Sequence, residues 1–85
     1  MNKKHKKTLA AIFANPVRAN ILWSDIESML MATGAYREEG SGSRVRFLLN
    51  DVPAVFHRPH PQKETDKGAV KSVRKFLIDA EVLLL

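Results

Sequence analysis

The chain has 85 residues, enough for one compact domain with a modest core and too few for two domains that each bury their own. It has no cysteine, which excludes disulfides, thiolate metal sites and cysteine nucleophiles and leaves stability to packing. The formal net charge of +5 is unevenly placed, with basic regions at residues 1–22 and 44–75 flanking a net acidic stretch from Asp25 to Glu39, so one side is expected to face a polyanion.

From Lys3 to Ala14, the residues Leu9, Ile12 and Phe13 recur at helical spacing and Asn15-Pro16 supplies a stop, which predicts a first helix. Its lysines, Lys3, Lys4, Lys6 and Lys7, read either as phosphate contacts or as a solvated face. The apolar run from Leu9 to Ala14 falls short of the ~7–15 residues of a secretory signal. No stretch nears the ~20 apolar residues that cross a bilayer, so the expectation is a soluble, cytoplasmic protein with no membrane partner. A second helix is predicted from Ser24, where Ser24-Asp25-Ile26-Glu27 fits a capping box. Ile26, Met29, Leu30 and Thr33 form its buried stripe, and Gly34 is a left-handed stop.

After Gly34 the hydrophobic period changes. Ala35 to Glu38 reads as a short strand and Gly40-Ser41-Gly42 as a turn. Ser43 to Leu49 alternates Val45, Phe47 and Leu49 against Arg44, Arg46 and Leu48, and Asn50-Asp51 suits a two-residue hairpin because both residue types tolerate positive φ. That register joins Val52, Ala54 and Phe56 to the apolar face and sets Arg44 opposite His57 on the other. Pro53 cannot donate to a ladder, which favours an outer strand or an outward-facing amide at that point. His57-Arg58-Pro59-His60-Pro61 is a stiff loop, since each proline extends its predecessor.

A final helix is predicted from Thr65 or Asp66 through Leu77, with Val70, Val73 and Leu77 inside and Lys67, Lys71 and Arg74 or Lys75 on another face. The tail from Val82 to Leu85 either covers the core or frames an oligomer interface, and Trp23, Phe47, Phe56 and Phe76 read as core. The fold class is α+β: a two-layer α-α-β-β-β-α domain, one domain over residues 1–85, with helices on one face of a three-stranded antiparallel sheet.

From Ser24 to about Leu77 this order resembles the HicA toxins of HicA/HicB toxin–antitoxin pairs. The resemblance rests on Gly42-Ser43-Arg44, Arg58-Pro59-His60 and the run from Lys67 to Val73, with sixteen positions from Arg44 to His60 and eight from His60 to Gly68. It divides the chain into a basic N-terminal helical extension, residues 1–22, and a HicA-like core, residues 23–82. It implies a double-stranded-RNA-binding-like fold, a metal-independent endoribonuclease that cuts messenger RNA without a cofactor, and neutralisation by a HicB-type antitoxin. The family's catalytic histidine follows Gly-Ser, and that place here holds Arg44. A guanidinium stays protonated and cannot serve as a general base. Either the acid/base role has moved to His57 or His60, or the protein binds RNA without cutting it efficiently.

Metal-free RNA cleavage needs a base for the 2′-hydroxyl, a donor for the leaving 5′-oxygen and positive charge near the phosphorane. The catalytic candidates are therefore His60, His57 and Arg44, with Ser43, Arg46, Arg58, Lys67, Lys71 and Arg74 as RNA contacts. Plainer roles stand beside these: a cross-strand ion pair of Arg44 with Glu38 or Glu39, an exposed strand-end His57, and a hydrogen-bonded loop His60. His57 and His60 also have HxxH spacing, but no third ligand accompanies them. The competing readings are a non-enzymatic RNA-binding module and a protein-interaction domain that uses the acidic second helix and the apolar tail.

Overall fold

In the computed structural model, which describes residues 1–82, helix α1 spans Lys3–Ile12. Asn2 caps it by accepting from the His5 N–H at 2.8 Å. Leu9 and Ile12 face inward, as their spacing predicts, and Phe13 is half-buried at the C-cap. The chain then forms a two-residue strand β1, Ile21–Leu22, and helix α2, Trp23–Ala32. Strands β2 (Tyr36–Glu39), β3 (Arg44–Leu49) and β4 (Val52–His57) follow, then a two-residue β5 (Glu64–Thr65) and helix α3 (Lys67–Asp79), N-capped by Asp66. Of the tail from Val82 to Leu85, Val82 packs half-buried against the core, and residues 83–85 lie outside the described residues.

This is the α+β, three-helix arrangement read from the sequence, with β2-β3-β4 as an antiparallel sheet. The small antiparallel pair β1-β5 is an addition that two-residue segments cannot announce in sequence.

The capping box at Ser24 does not form. Helix α2 starts one residue earlier, its N-cap position is Leu22, and no side chain caps it. The reason is tertiary: the Trp23 amide donates to the carbonyl of Lys63, the residue before β5, at 3.0 Å, so the chain next to the β1-β5 pair satisfies the first amide of the helix. Glu27 is thereby free to turn inward. Gly34 does end the helix in the left-handed region, at φ 96°.

The hairpin keeps the predicted register. Asn50 and Asp51 take φ of 49° and 66°, and the pairing runs from Leu49↔Val52 out to Arg44↔His57. The Asn50 side chain also donates to the Ala80 carbonyl at 2.7 Å, tying the turn to the end of α3. Val45, Phe47, Leu49 and Phe56 are buried under the helices together with Ile26, Met29, Leu30, Val70, Val73 and Leu77. Phe56 sits among Trp23, Phe47 and Phe76 with ring centroids 5.7–6.1 Å away, so all four aromatics predicted as core are core.

Helix α1 packs into that same core through Leu9 and Ile12. Arg74 of α3 fastens it by donating to the Ile12 and Ala14 carbonyls, both at 2.9 Å, while its guanidinium lies 5.8 Å from the Phe13 ring centroid. No helix among the described residues is long and apolar enough to cross a membrane.

Candidate active site

Alternation along β3 sends Arg44, Arg46 and Leu48 to the sheet face away from the helices. Cross-strand pairing then places His57 beside Arg44, Val55 beside Arg46 and Pro53 beside Leu48 on β4. Tyr36 and Glu38 join the same face from β2, paired with Leu48 and Arg46. The ladder parity follows from one bond just beyond the strands: the Arg58 amide donates to the Ser43 carbonyl at 2.8 Å. Pairs alternate between bonded and non-bonded, so Arg44↔His57 is a non-hydrogen-bonded pair, the class with the shorter Cα separation and closer side chains. Leu48↔Pro53 has the same parity, which puts the proline nitrogen at an outward position on an edge strand.

Arg44 is positioned by the turn before it. The Gly40 amide donates to the Arg44 carbonyl at 3.0 Å, and a Cβ on Gly40 would stand 3.0 Å from the Arg44 Cβ, so any larger residue would push against the strand start. Among the described residues Arg44 forms no ion pair; Glu38 meets Arg46 instead, at 3.8 Å, and Glu39 meets Arg58. Arg44 and His57 are both exposed. Arg44 and Arg46 line a hollow of about 170 Å³ with Glu38, Glu39 and Val55.

His60 is placed elsewhere. It is exposed in the loop after β4 and lines a hollow of about 390 Å³ with Ala19, Pro59, Gln62, Glu64 and Asp66. A larger hollow, about 600 Å³, runs along the same loop past Trp23 and Arg58. The structure thus joins Arg44 to His57 in one cross-strand pair and sets His60 on a loop with different neighbours.

The predicted RNA contacts separate into two groups. Ser43, Arg46, Lys67 and Lys71 are exposed. Arg58 and Arg74 are spent internally: Arg74 on α1, and Arg58 on Glu27 and Glu39. Its Nε donates to Glu27 at 2.6 Å, and its Nη1 and Nη2 donate to Glu39 at 2.6 and 2.9 Å. Arg37 adds a bond to Glu27 at 3.2 Å, and the Trp23 indole N–H also donates to Glu27.

Burial pushes the Glu27 carboxyl up, but the Arg58 and Trp23 hydrogen bonds and the two arginine charges outweigh it, holding the group below the usual glutamate range. Glu39 is lowered chiefly by its Arg58 hydrogen bond, and Arg58 is raised by both carboxylates. This network holds the end of β4, from which the histidine loop departs, against α2 and β2. Sequence reasoning missed it because its bonds join residues up to 31 positions apart. It also passed over Tyr36, although pairing β2 with β3 by alternation would have put that ring on the face of Arg44.

Among the described residues no three His, Asp or Glu side chains gather into a metal-holding group. No curated protein and no solved structure matches the chain. A protein-family model described as the HicA toxin of bacterial toxin–antitoxin systems does match, over residues 23–82, the stretch from the first residue of α2 to just past α3. With most of its length inside that match, the chain belongs to the HicA toxin family, the toxin half of bacterial toxin–antitoxin pairs.

Proposed function

We propose that this toxin is a metal-independent endoribonuclease that cuts messenger RNA in the cytoplasm, halts translation, and is neutralised by a HicB-type antitoxin. Beyond the family, one observation carries the reading: Arg44 and His57 form a non-hydrogen-bonded cross-strand pair on an open, cationic sheet face. In its neutral form, His57 takes the proton of a ribose 2′-hydroxyl. The 2′-oxygen then forms a bond to phosphorus as the bond to the 5′-oxygen breaks. Arg44, which forms no ion pair among the described residues, faces the charge that gathers on the phosphorane oxygens. An acid must also return a proton to the 5′-oxygen; we assign that role to His60, which RNA bound across the end of β4 would have to reach from the loop where it lines a separate hollow.

Ser43 and Arg46 flank this pair, and Lys67 and Lys71 supply phosphate contacts along α3. Arg58 and Arg74 contribute by holding the loop and α1, because their donors are already engaged. A non-enzymatic RNA-binding module is the second reading, favoured by one observation: an arginine occupies the position that follows Gly-Ser.

End-group analysis of RNA incubated with the protein tests the chemistry. Fragments ending in 2′,3′-cyclic phosphate and 5′-hydroxyl, with no cutting where the 2′-hydroxyl is replaced by hydrogen, are expected. Intact RNA that remains bound would favour the second reading.

A further inference from the structure

The sheet face that carries Arg44 and His57 extends past them into an apolar part. Three rows of side chains cross the strands. The first holds Tyr36, Leu48 and Pro53, the second Glu38, Arg46 and Val55, and the third Arg44 and His57. In a protein this small, large apolar groups are normally drawn under the helices, yet Tyr36 is 62%, Val55 51% and Leu48 44% exposed. Leu48 lies four steps along β3 from Arg44, roughly 13 Å at ~3.3 Å per residue, a length that a few extended nucleotides cover.

We propose that this face is a platform for single-stranded RNA, on which Tyr36 stacks a base beside Leu48 while Arg46 and Arg44 follow the backbone towards His57. Tyr36 is then a specificity-determining residue of the ribonuclease, and the inference rests on that reading of the Arg44–His57 pair. Charge complementarity selects the occupant. Glu38 and Glu39 share the hollow of Arg44 and Arg46, but Glu39 is held by Arg58 at 2.6 Å, and the Glu38–Arg46 contact is a long, exposed pair at 3.8 Å that a phosphate can displace. Cleavage by the 2′-hydroxyl also requires a flexible, unpaired strand. Such strands are held in the same general way elsewhere, with splayed bases on aromatic rings and the backbone on arginines.

The test measures binding of the full chain to labelled 2′-O-methyl oligonucleotides, which cannot be cut, and to an abasic strand of the same length. Wild type, Tyr36→Phe, Tyr36→Leu and Tyr36→Ala are compared. Tyr36→Phe should bind like wild type. Tyr36→Leu, which keeps the apolar bulk, and Tyr36→Ala should each lose about tenfold on the base-bearing strand. Neither should change on the abasic strand, and the salt slope should stay constant. Equal binding by wild type and Tyr36→Leu, or a matching loss on the abasic strand, overturns the stacking role and leaves the ribonuclease reading standing. A wild type that binds neither strand overturns both and returns the face to a protein partner.

Discussion

Replacing Arg58 with methionine keeps its aliphatic stem and removes the guanidinium that joins Glu27 and Glu39. Glu27 is the group that suffers, being 11% exposed at the side chain, whereas Glu39 is well solvated and keeps its water. Removing one partner of a fully buried ion pair costs ~3–5 kcal/mol. Two features reduce that figure here. Arg58 is itself 31% exposed, and Glu27 retains the Trp23 indole and Arg37. A loss of about 2–3 kcal/mol at neutral pH is therefore expected, out of the ~4–13 kcal/mol available to a domain of this size. At ~4–8 °C per kcal/mol the melting temperature should fall by roughly 10–20 °C.

Because the folded-state pKa of Glu27 is depressed, its contribution is fully present above the ordinary glutamate range and disappears as pH falls through and below it. The difference between wild type and Arg58→Met should narrow over that same acid window. Urea titrations followed by Trp23 fluorescence, repeated at neutral and acid pH, measure both. A neutral-pH loss under about 0.5 kcal/mol, the scale of an ordinary surface substitution, would refute the reasoning. So would a loss that stays constant through the titration of Glu27.

Other expectations follow from the same geometry. His57→Ala should retain the fold and lose about 10²–10⁴ in cleavage rate, read by single-turnover kinetics on a long RNA. Lys71→Gln should weaken RNA binding evenly across sequences and lower the slope of log affinity against log salt by about one, read by titrations at several salt concentrations. Asn50→Val should cost about 2 kcal/mol or more, because a β-branched residue is strained at φ 49° and the bond to Ala80 is lost; Asn50→Gly, which removes only the bond, should cost less in the same denaturation assay.

Local chemistry was legible in the sequence. The turn at Asn50-Asp51 fixes the register of its own flanks, so the Arg44↔His57 pair could be placed by stepping outward from it. Gly34 and Asp66 punctuate helices by conformational preferences that act within a turn. Distant pairing was not legible. Ser24 and Glu27 make an acceptable local cap, but the Lys63 carbonyl takes the first helix amide from across the chain and Glu27 gains more from arginines and an indole inside. Arg58 and Arg74 looked like phosphate ligands for the same reason: charge on a loop or helix is visible in sequence, whereas the partner already holding it is not. His60 was drawn towards Arg44 by sequence proximity to His57, and the loop gives it other neighbours.

Cleavage of a long messenger RNA in EDTA by the wild type, beside Arg44→Ala, His57→Ala and His60→Ala, tests the central claim most directly. The account requires cutting by the wild type and its loss in folded Arg44→Ala and His57→Ala. Cutting that survives both substitutions, or a wild type that binds the RNA and leaves it whole, would contradict it.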